Sequence, residues 1–523
     1  MTRQKSEDRI RPQGRQKLVI TRDVERPGGG KAVPVNERTR QLELFFETAE
    51  EPDRQRSDTD GEVARHLRRA ATRAAPKSRN MNKTISAATI EGVVERLAEA
   101  FQKVASNQGA PGPNGESIAE VREHLDELLP KLSSSVLEGT YEPGNIRRVW
   151  IPKAGGGERG LGIPDVVDRM VQEAVRLVLE PVYEPTFHPK SHGFRPGRSC
   201  HTAIEQARKF LEDGYEWVVD LDLENFFNRV NHQRLMARLA LRVEDKRLLV
   251  LIGRMLKAKV VLPDGVVVSN GEGVPQGGPL SPLLSNVVLD ELDWELEERG
   301  HRFVRYADDA NIYVKSERAG QRVMASIVSF IERRLRLKVN ASKSAVARPE
   351  ERHFLGFSLR CEPLDGSVEV LLSKRSRERV GDKLRELVPR NWGSSLRACI
   401  RRLNAYLLGW LGFFGICTAR IERVLHGLDA HIRRRLRAIQ LKHWKRRRTI
   451  ARKLIALGIR KKTAWRSVYE GRKSLWAMSH MPTVDRALQN SHWEAQGLVS
   501  LEARWKASVQ PVVAPAQLTL ALG

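Results

Sequence analysis

The chain has little that would staple it, anchor it or repeat. Its 523 residues hold four cysteines, Cys200, Cys361, Cys399 and Cys417, scattered and without a C-x-x-C pair. That excludes a disulfide framework, and free thiols with no zinc site are expected. No apolar run reaches membrane-spanning length, and the opening MTRQKSEDRIRPQGRQK has no apolar signal-peptide core, so a cytosolic protein with no membrane partner is expected. No fixed-period repeat occurs, and no Ser-His or Cys-His signature of nucleophilic catalysis is present. Acid is also short: 64 Asp and Glu stand against 90 Lys and Arg, a formal net charge of +26. An excess of that size repels itself unless it meets a polyanion, which makes nucleic acid the first candidate partner.

What is present divides along the chain. The length implies about three or four domains. Residues 1–82 are rich in Arg, Glu, Asp, Gly, Pro and Ser and read as a basic, largely flexible extension, broken by RQLELFFETAEE. From 83 to 360 helical spacing alternates with strand patterns. ISAATIEGVVERLAEAFQKVA is a helix, YEPGNIRRVWIPKAGGGERGLGIP two strands joined by a glycine-rich hairpin, and DVVDRMVQEAVRLVLEPVYE a helix starting at an Asp cap. This is a mixed α+β body. Between 361 and 470 strand patterns fade and Arg-rich helices take over, and 471–523 forms a C-terminal region.

Two acidic stretches stand out. FVRYADDANIYV sets Asp308 and Asp309 between two short strands that meet at Ala307-Asp308-Asp309-Ala310. Taken alone it reads as an Asp-rich surface turn. In WVVDLDLENFF, Asp220 and Asp222 share one strand face by period two. For Asp220 a strand-edge charge is the simpler account. If the two stretches lie side by side, Asp222 and Asp308 converge on divalent cations, a pair of which would serve phosphoryl transfer by positioning and charge compensation. WIPKAGGGERG supplies Lys153 and Arg159 about a flexible tip suited to a triphosphate, and GEGVPQGGPLSPLLSN lets the backbone at Gln276-Gly277-Gly278 approach a ligand closely.

Together these blocks resemble the group II intron reverse transcriptase/maturase family. The matching segments keep the family's order: IPKAGGGERGLGIPDVVDRMVQEAV, SHGFRPGRSCHTAI, VVDLDLENFFNRVNH, GVPQGGPLSPLLSNVVLDELD, RYADDANIYV, LKVNASKS and HFLGF. The resemblance implies a right-hand polymerase fold, with fingers and palm in 83–360 and an α-helical thumb/maturase domain in 361–470. It also implies an RNA-directed DNA polymerase with a two-metal Mg2+ site on Asp222, Asp308 and Asp309. Lys153, Arg159, Gln276 and Lys343 match nucleotide-binding positions, and Phe226 matches the bulky residue that screens the sugar 2'-hydroxyl. The implied partners are group II intron RNA, an RNA template with a DNA primer, dNTPs and a DNA target touched by 471–523. The implied setting is a bacterial cytoplasm, in association with nucleoid or ribonucleoprotein. One departure is Asn228, where the family usually carries Asp.

In the basic half, LRACIRRLNAYLLGWLGFFG and LDAHIRRRLRAIQLKHWKRRR resemble the thumb and maturase region. Their aromatics have core spacing. Arg401, Arg402, Arg433, Arg434, Arg435, Arg437, Lys445, Arg446, Arg447 and Arg448 form a charge density suited to RNA phosphates. Nothing resembles the Cys- and His-bearing endonuclease domain of some family members. Two other readings are a splicing-only maturase with a vestigial polymerase site and a domesticated reverse transcriptase in defence or spacer acquisition. The intact carboxylates oppose the first and the long maturase-like half opposes the second.

Overall fold

β-Branched and aromatic runs fall where the strands form. In the computed structural model, which describes residues 88–152, 157–362, 366–418, 421–470 and 474–509, they are β1 (Ile146–Pro152), β2 (Glu158–Ile163), β3 (Trp217–Leu221), β4 (Val260–Val261), β5 (Val267–Val268), β6 (Arg302–Tyr306), β7 (Asp309–Val314), β8 (Ala345–Ala347), β9 (Phe357–Cys361) and β10 (Val368–Leu372). They make three sheets, ordered β2-β1-β4-β5, β6-β7-β3-β8 and β10-β9. The helices that matter below are α1 (Val166–Tyr183), α2 (Cys200–Glu212), α3 (Phe226–Arg229), α4 (Ser281–Glu298), α5 (Lys374–Leu387), α6 (Leu396–Phe414), α7 (Ile421–His443), α8 (Arg447–Ala456) and α9 (Leu501–Val509). The extension 1–82, with its short helix at RQLELFFETAEE, lies outside the described residues.

The glycine-rich hairpin forms as its sequence implies: β1 and β2 pair antiparallel from Arg147↔Ile163 to Pro152↔Glu158. Its tip, with Lys153, lies outside the described residues. α1 starts after Asp165, but that side chain makes no capping bond to the helix. Its carboxylate instead accepts from the Asn114 N–H at 3.1 Å and ties down the loop NQGAPGPNGES.

The β6-β7-β3-β8 sheet is the floor between two cores, and its alternation shows how. Val219, Phe303 and Ile312 face a core shared with α1 and α4. Their neighbours Val218, Val304 and Tyr313 face a second core with α2, β9, β10 and the C-terminal helices. Successive strand residues point to opposite faces, so each strand serves both.

The second core does not stop at 470. Val484, Leu488, Trp493, Leu501 and Trp505 are packed in it with Leu403 of α6 and Leu436 of α7. Asp429 on α7 accepts from the N–H groups of Leu501 (3.0 Å) and Glu502 (3.1 Å) and from Ser500 Oγ (2.8 Å), capping α9. The expected boundary at 470 therefore separates no independent core, because the apolar face of 361–470 is completed by the segment beyond it.

Candidate active site

Strand register brings the two acidic stretches together. β3 runs antiparallel to β7, with Leu221 opposite Ala310 and Asp220 opposite Asn311. Asp222, the next residue, therefore comes to the end of β7 where Asp309 begins it. β6 and β7 pair from Arg302↔Tyr313 to Tyr306↔Asp309, so only Ala307 and Asp308 are left to close the hairpin. The sequence suggests a four-residue tip. The tip is shorter because pairing with β3 holds Ala310 in the strand. Ala307 turns the chain at φ +56°, a left-handed conformation uncommon outside glycine, as a two-residue hairpin demands.

The result is a crowd of half-buried carboxylates. Burial, and after it the approach of Asp308 and Asp220, pushes Asp222 up to about 7 against the pull of Lys343. Asp308 is raised by burial. Asp309 is raised by burial and then by Asp308, Asp220 and Asp222. Lys343 Nζ lies 3.9 Å from Asp222 Oδ2, and burial lowers its own pKa. Asp220 is neutralised from the other side, its Oδ2 accepting from Arg352 Nε at 2.8 Å and Nη2 at 2.6 Å, in keeping with a structural charge.

Among the described residues, no group of three or more His, Cys, Asp and Glu side chains forms a ready-made metal cage. The donor set nevertheless suits Mg2+, which binds through one or two carboxylates and takes its remaining oxygens from water and substrate phosphates.

The site's supports include residues that the motifs do not single out. The segment LKVNASKS brackets Asp222: the Asn340 N–H donates to the Asp222 carbonyl at 2.9 Å, and the Asp222 N–H donates to Ser344 Oγ at 3.0 Å. No spacing in the sequence marks either residue. In the PQGG loop, the Gly162 N–H donates to the Gln276 carbonyl at 2.6 Å. A Cβ on Gly277 would lie 2.4 Å from the Gly162 carbonyl oxygen, and one on Gly278 2.2 Å from Gln172 Oε1. These glycines let the loop dock on β2 and α1, a role within the protein where the sequence alone suggests a ligand. Arg159 lies on β2 opposite Ile151.

Phe226 is 2% exposed, its ring 5.1 Å from Phe227 in an edge-on pair. Asn228 is exposed on α3, and its N–H closes a local turn to Asn225 O at 2.9 Å.

The basic residues sort by burial. Arg401, Arg402 and Lys445 to Arg448 are exposed, and Arg433 and Arg434 partly so. Arg435 and Arg437, 7% and 6% exposed, are not available to phosphate. Arg435 donates to the carbonyls of Val388 (2.7 Å) and Arg385 (3.0 Å), closing the C-terminal end of α5, and Arg437 faces Asp485. The helical face that packs on α5 and the C-terminal segment claims both.

A two-strand acidic hairpin beside a third aspartate, on a sheet flanked by helices, defines a nucleic-acid polymerase of the reverse transcriptase class. Residues 151–359 match the family "Reverse transcriptase (RNA-dependent DNA polymerase)", and residues 377–455 match "Group II intron, maturase-specific domain". Protein YkfC of Escherichia coli K12 is 33% identical over 354 residues, covering 59% of this chain and 90% of that protein. Group II intron-encoded protein LtrA of Lactococcus lactis subsp. cremoris is 29% identical over 369 residues, 55% of this chain and 60% of that one. The putative COX1/OXI3 intron 2 protein of Saccharomyces cerevisiae is 27% identical over 343 residues, 54% of this chain and 40% of its own. A solved "Partial Cas6-RT-Cas1--Cas2 complex" aligns with 47% of this chain and 42% of its own at 23% identity, with a TM-score of 0.31. The chain belongs to the group II intron reverse transcriptase/maturase family. It carries an RNA-directed DNA polymerase domain, whose family uses divalent metal ions, followed by an intron maturase domain. Among the described residues no helix is long and apolar enough to cross a membrane.

Proposed function

We propose that this chain extends a DNA primer on an RNA template from dNTPs at Asp222, Asp308 and Asp309, and binds group II intron RNA through its basic helical half to assist splicing and mobility. The observation that supports the first part is the β3–β7 register, which sets Asp222 beside the Asp308–Asp309 hairpin within reach of Lys343. Two Mg2+ ions, when bound, would supply Lewis acidity for the primer hydroxyl and offset the charge of the leaving pyrophosphate. Asp222 and Asp308 would hold them, with Asp309 shaping the field at the first residue of β7. Lys343 offsets the carboxylate charge. Lys153 and Arg159 grip the triphosphate, and Gln276, fixed to β2 through its own carbonyl, orients the base pair being formed. Sugar screening is assigned to Phe226, tested by rNTP incorporation in Phe226→Ala.

For RNA, the surface at Lys445 to Arg448 supports the reading. These exposed cations lead into and occupy the first turn of α8, which has no acid there and no side-chain cap. A helix N-terminus is itself positive, so cations gathered there are unfavourable until an anion arrives. Arg401, Arg402, Arg433 and Arg434 extend the same reading to α6 and α7, and the C-terminal segment is the candidate for DNA-target contact. The cell compartment proposed is the bacterial cytoplasm, in a ribonucleoprotein.

The test is primer extension on an RNA template with Mg2+ and dNTPs, comparing wild type with Asp308→Ala. Extension by the wild type and its loss in the variant is the expected result. A folded wild type that binds intron RNA yet extends nothing would leave splicing assistance as the activity.

A further inference from the structure

Beneath the acidic turn lies a charge that the proposed chemistry does not use. Arg305, on β6, is 0% exposed, as is Asp293 on α4. Its Nε donates to Asp293 Oδ1 at 2.7 Å and its Nη2 to Asp293 Oδ2 at 2.6 Å, a two-pronged pair. Nη2 also donates to Ser191 Oγ at 2.8 Å, and Nη1 donates to Asn286 Oδ1 at 3.1 Å and to the Ala307 carbonyl at 2.7 Å. All five guanidinium N–H groups are thereby used.

A buried ion pair is poor evidence of net stabilisation, because desolvation offsets its attraction. What this one specifies is a place. Ala307 is the left-handed residue immediately before Asp308, and its carbonyl is held by Arg305. Behind it, Gly193 packs so closely that an added Cβ would lie 2.2 Å from the Ala307 nitrogen. Gly193 is fixed in turn by Asn286 Nδ2, which donates to its carbonyl at 2.9 Å. The Arg305 N–H donates to Lys190 O at 3.0 Å, and the His192 N–H to Arg305 O at 2.8 Å, lacing the segment 190–193 to β6. Asn286 and Asp293 are two turns apart on α4, the helix that the nucleotide-side PQGG loop leads into.

We infer that Arg305, Asp293, Asn286 and Gly193 form a positioning clamp that sets the Asp308–Asp309 turn from below and couples it to α4. The clamp touches neither substrate nor metal; it fixes where the carboxylates stand. Lysine at 305 would keep the charge and lose the fork that reaches both Asp293 and Ala307. This inference rests on the polymerase reading.

The experiment measures steady-state primer extension by full-length Arg305→Lys, Asn286→Ala and Gly193→Ala, with wild type and Asp308→Ala as controls. Intron RNA binding and thermal melting report the folded fraction. The expected result for folded Arg305→Lys and Gly193→Ala is a kcat about 10- to 100-fold lower, the loss that a misplacement near 1 Å produces. The dNTP KM should stay within about three-fold, and the Mg2+ concentration for half-maximal rate should rise, since the ligands are moved and the nucleotide grip is not. Asn286→Ala keeps the ion pair and should show the same split, more weakly; it carries the test if the buried-charge variant fails to fold. An unchanged kcat and Mg2+ dependence in folded variants would overturn the clamp while wild type still extends. So would losses in kcat, KM and RNA binding that simply follow the unfolded fraction. A wild type that never extends would instead remove the polymerase reading, and the clamp with it.

Discussion

The palm hairpin and the Arg-rich helices carry opposite charge, and they keep it in opposite ways. In the palm, few carboxylates are gathered by strand register into a half-buried cluster where burial, and after it neighbouring carboxylates, raise the pKa of Asp222 and Asp309. In the helical half, many cations are spread over helices, and burial divides them into structural arginines such as Arg435 and exposed ones such as Arg447. Proximity makes the acidic site; exposure makes the basic one. A single acid should therefore be indispensable, while no single exposed arginine should be.

The largest effect expected from that contrast is at Asp222. Asp222→Asn should lower primer extension by about 1000-fold or more, with intron RNA affinity unchanged in a filter-binding titration; parallel loss of both would break the separation of the two regions. Next comes the four-residue change Lys445, Arg446, Arg447 and Arg448 to Ala. It should weaken RNA binding by about 10- to 1000-fold near physiological salt and flatten the dependence of affinity on salt, because a phosphate left unpaired keeps its condensed counterions instead of releasing them. Melting temperature should hold, since these side chains are exposed.

Arg435→Ala sharpens the same comparison from the other side. It strips the Val388 and Arg385 carbonyls of their donor in a buried place, which costs about 1–3 kcal/mol. Calorimetry should show a lower Tm, while RNA affinity of the folded protein stays put. A variant of normal stability with weakened RNA binding would return Arg435 to the binding surface.

The smallest effect is in acid. Burial pushes His192 and His353 each down to about 4 from an ordinary 6.5. The unfolded chain therefore binds these protons first, and the stability that depends on neutral imidazoles is complete above about 6.5 and declines as the pH falls toward 4. The buried carboxylates act in the opposite sense over that range, because their raised pKa values let the folded chain bind protons first, so the histidine contribution is read as a difference: the Tm of His353→Gln relative to wild type should rise as the pH falls from about 6.5 to 4. A Tm difference that stays constant across the range would argue that the His353 ring is wetter than its packing suggests.

Much of this was legible in the residues. The glycine-rich hairpin, the helix after PQGG and the acidic hairpin follow from alternation and turn chemistry, while the meeting of Asp222 with Asp308 was conditional on their strands lying side by side. Less was legible where one residue type serves two purposes. Arginine at 305 sits in a strand pattern whose neighbours Phe303 and Val304 are plainly apolar, and nothing in FVRYADD says that its charge is buried and paired with Asp293 on the preceding helix. Arginine at 435 looks like its neighbours at 433 and 434 until the helix is packed. The glycines of PQGG look fit for a ligand because sequence cannot show that β2 lies against them.

The sequence by itself determined the elements, the sign of each region's charge and the residue types able to do phosphoryl transfer, because these depend on local periodicity and side-chain chemistry. Tertiary structure alone decided which charges meet. Register placed Asp222 beside Asp309, packing hid Arg435 and Arg437, and a buried guanidinium took hold of Ala307. Those outcomes rest on how strands and helices are set against one another, and only the packed fold brings their side chains within the few ångströms over which charge and hydrogen bonding act.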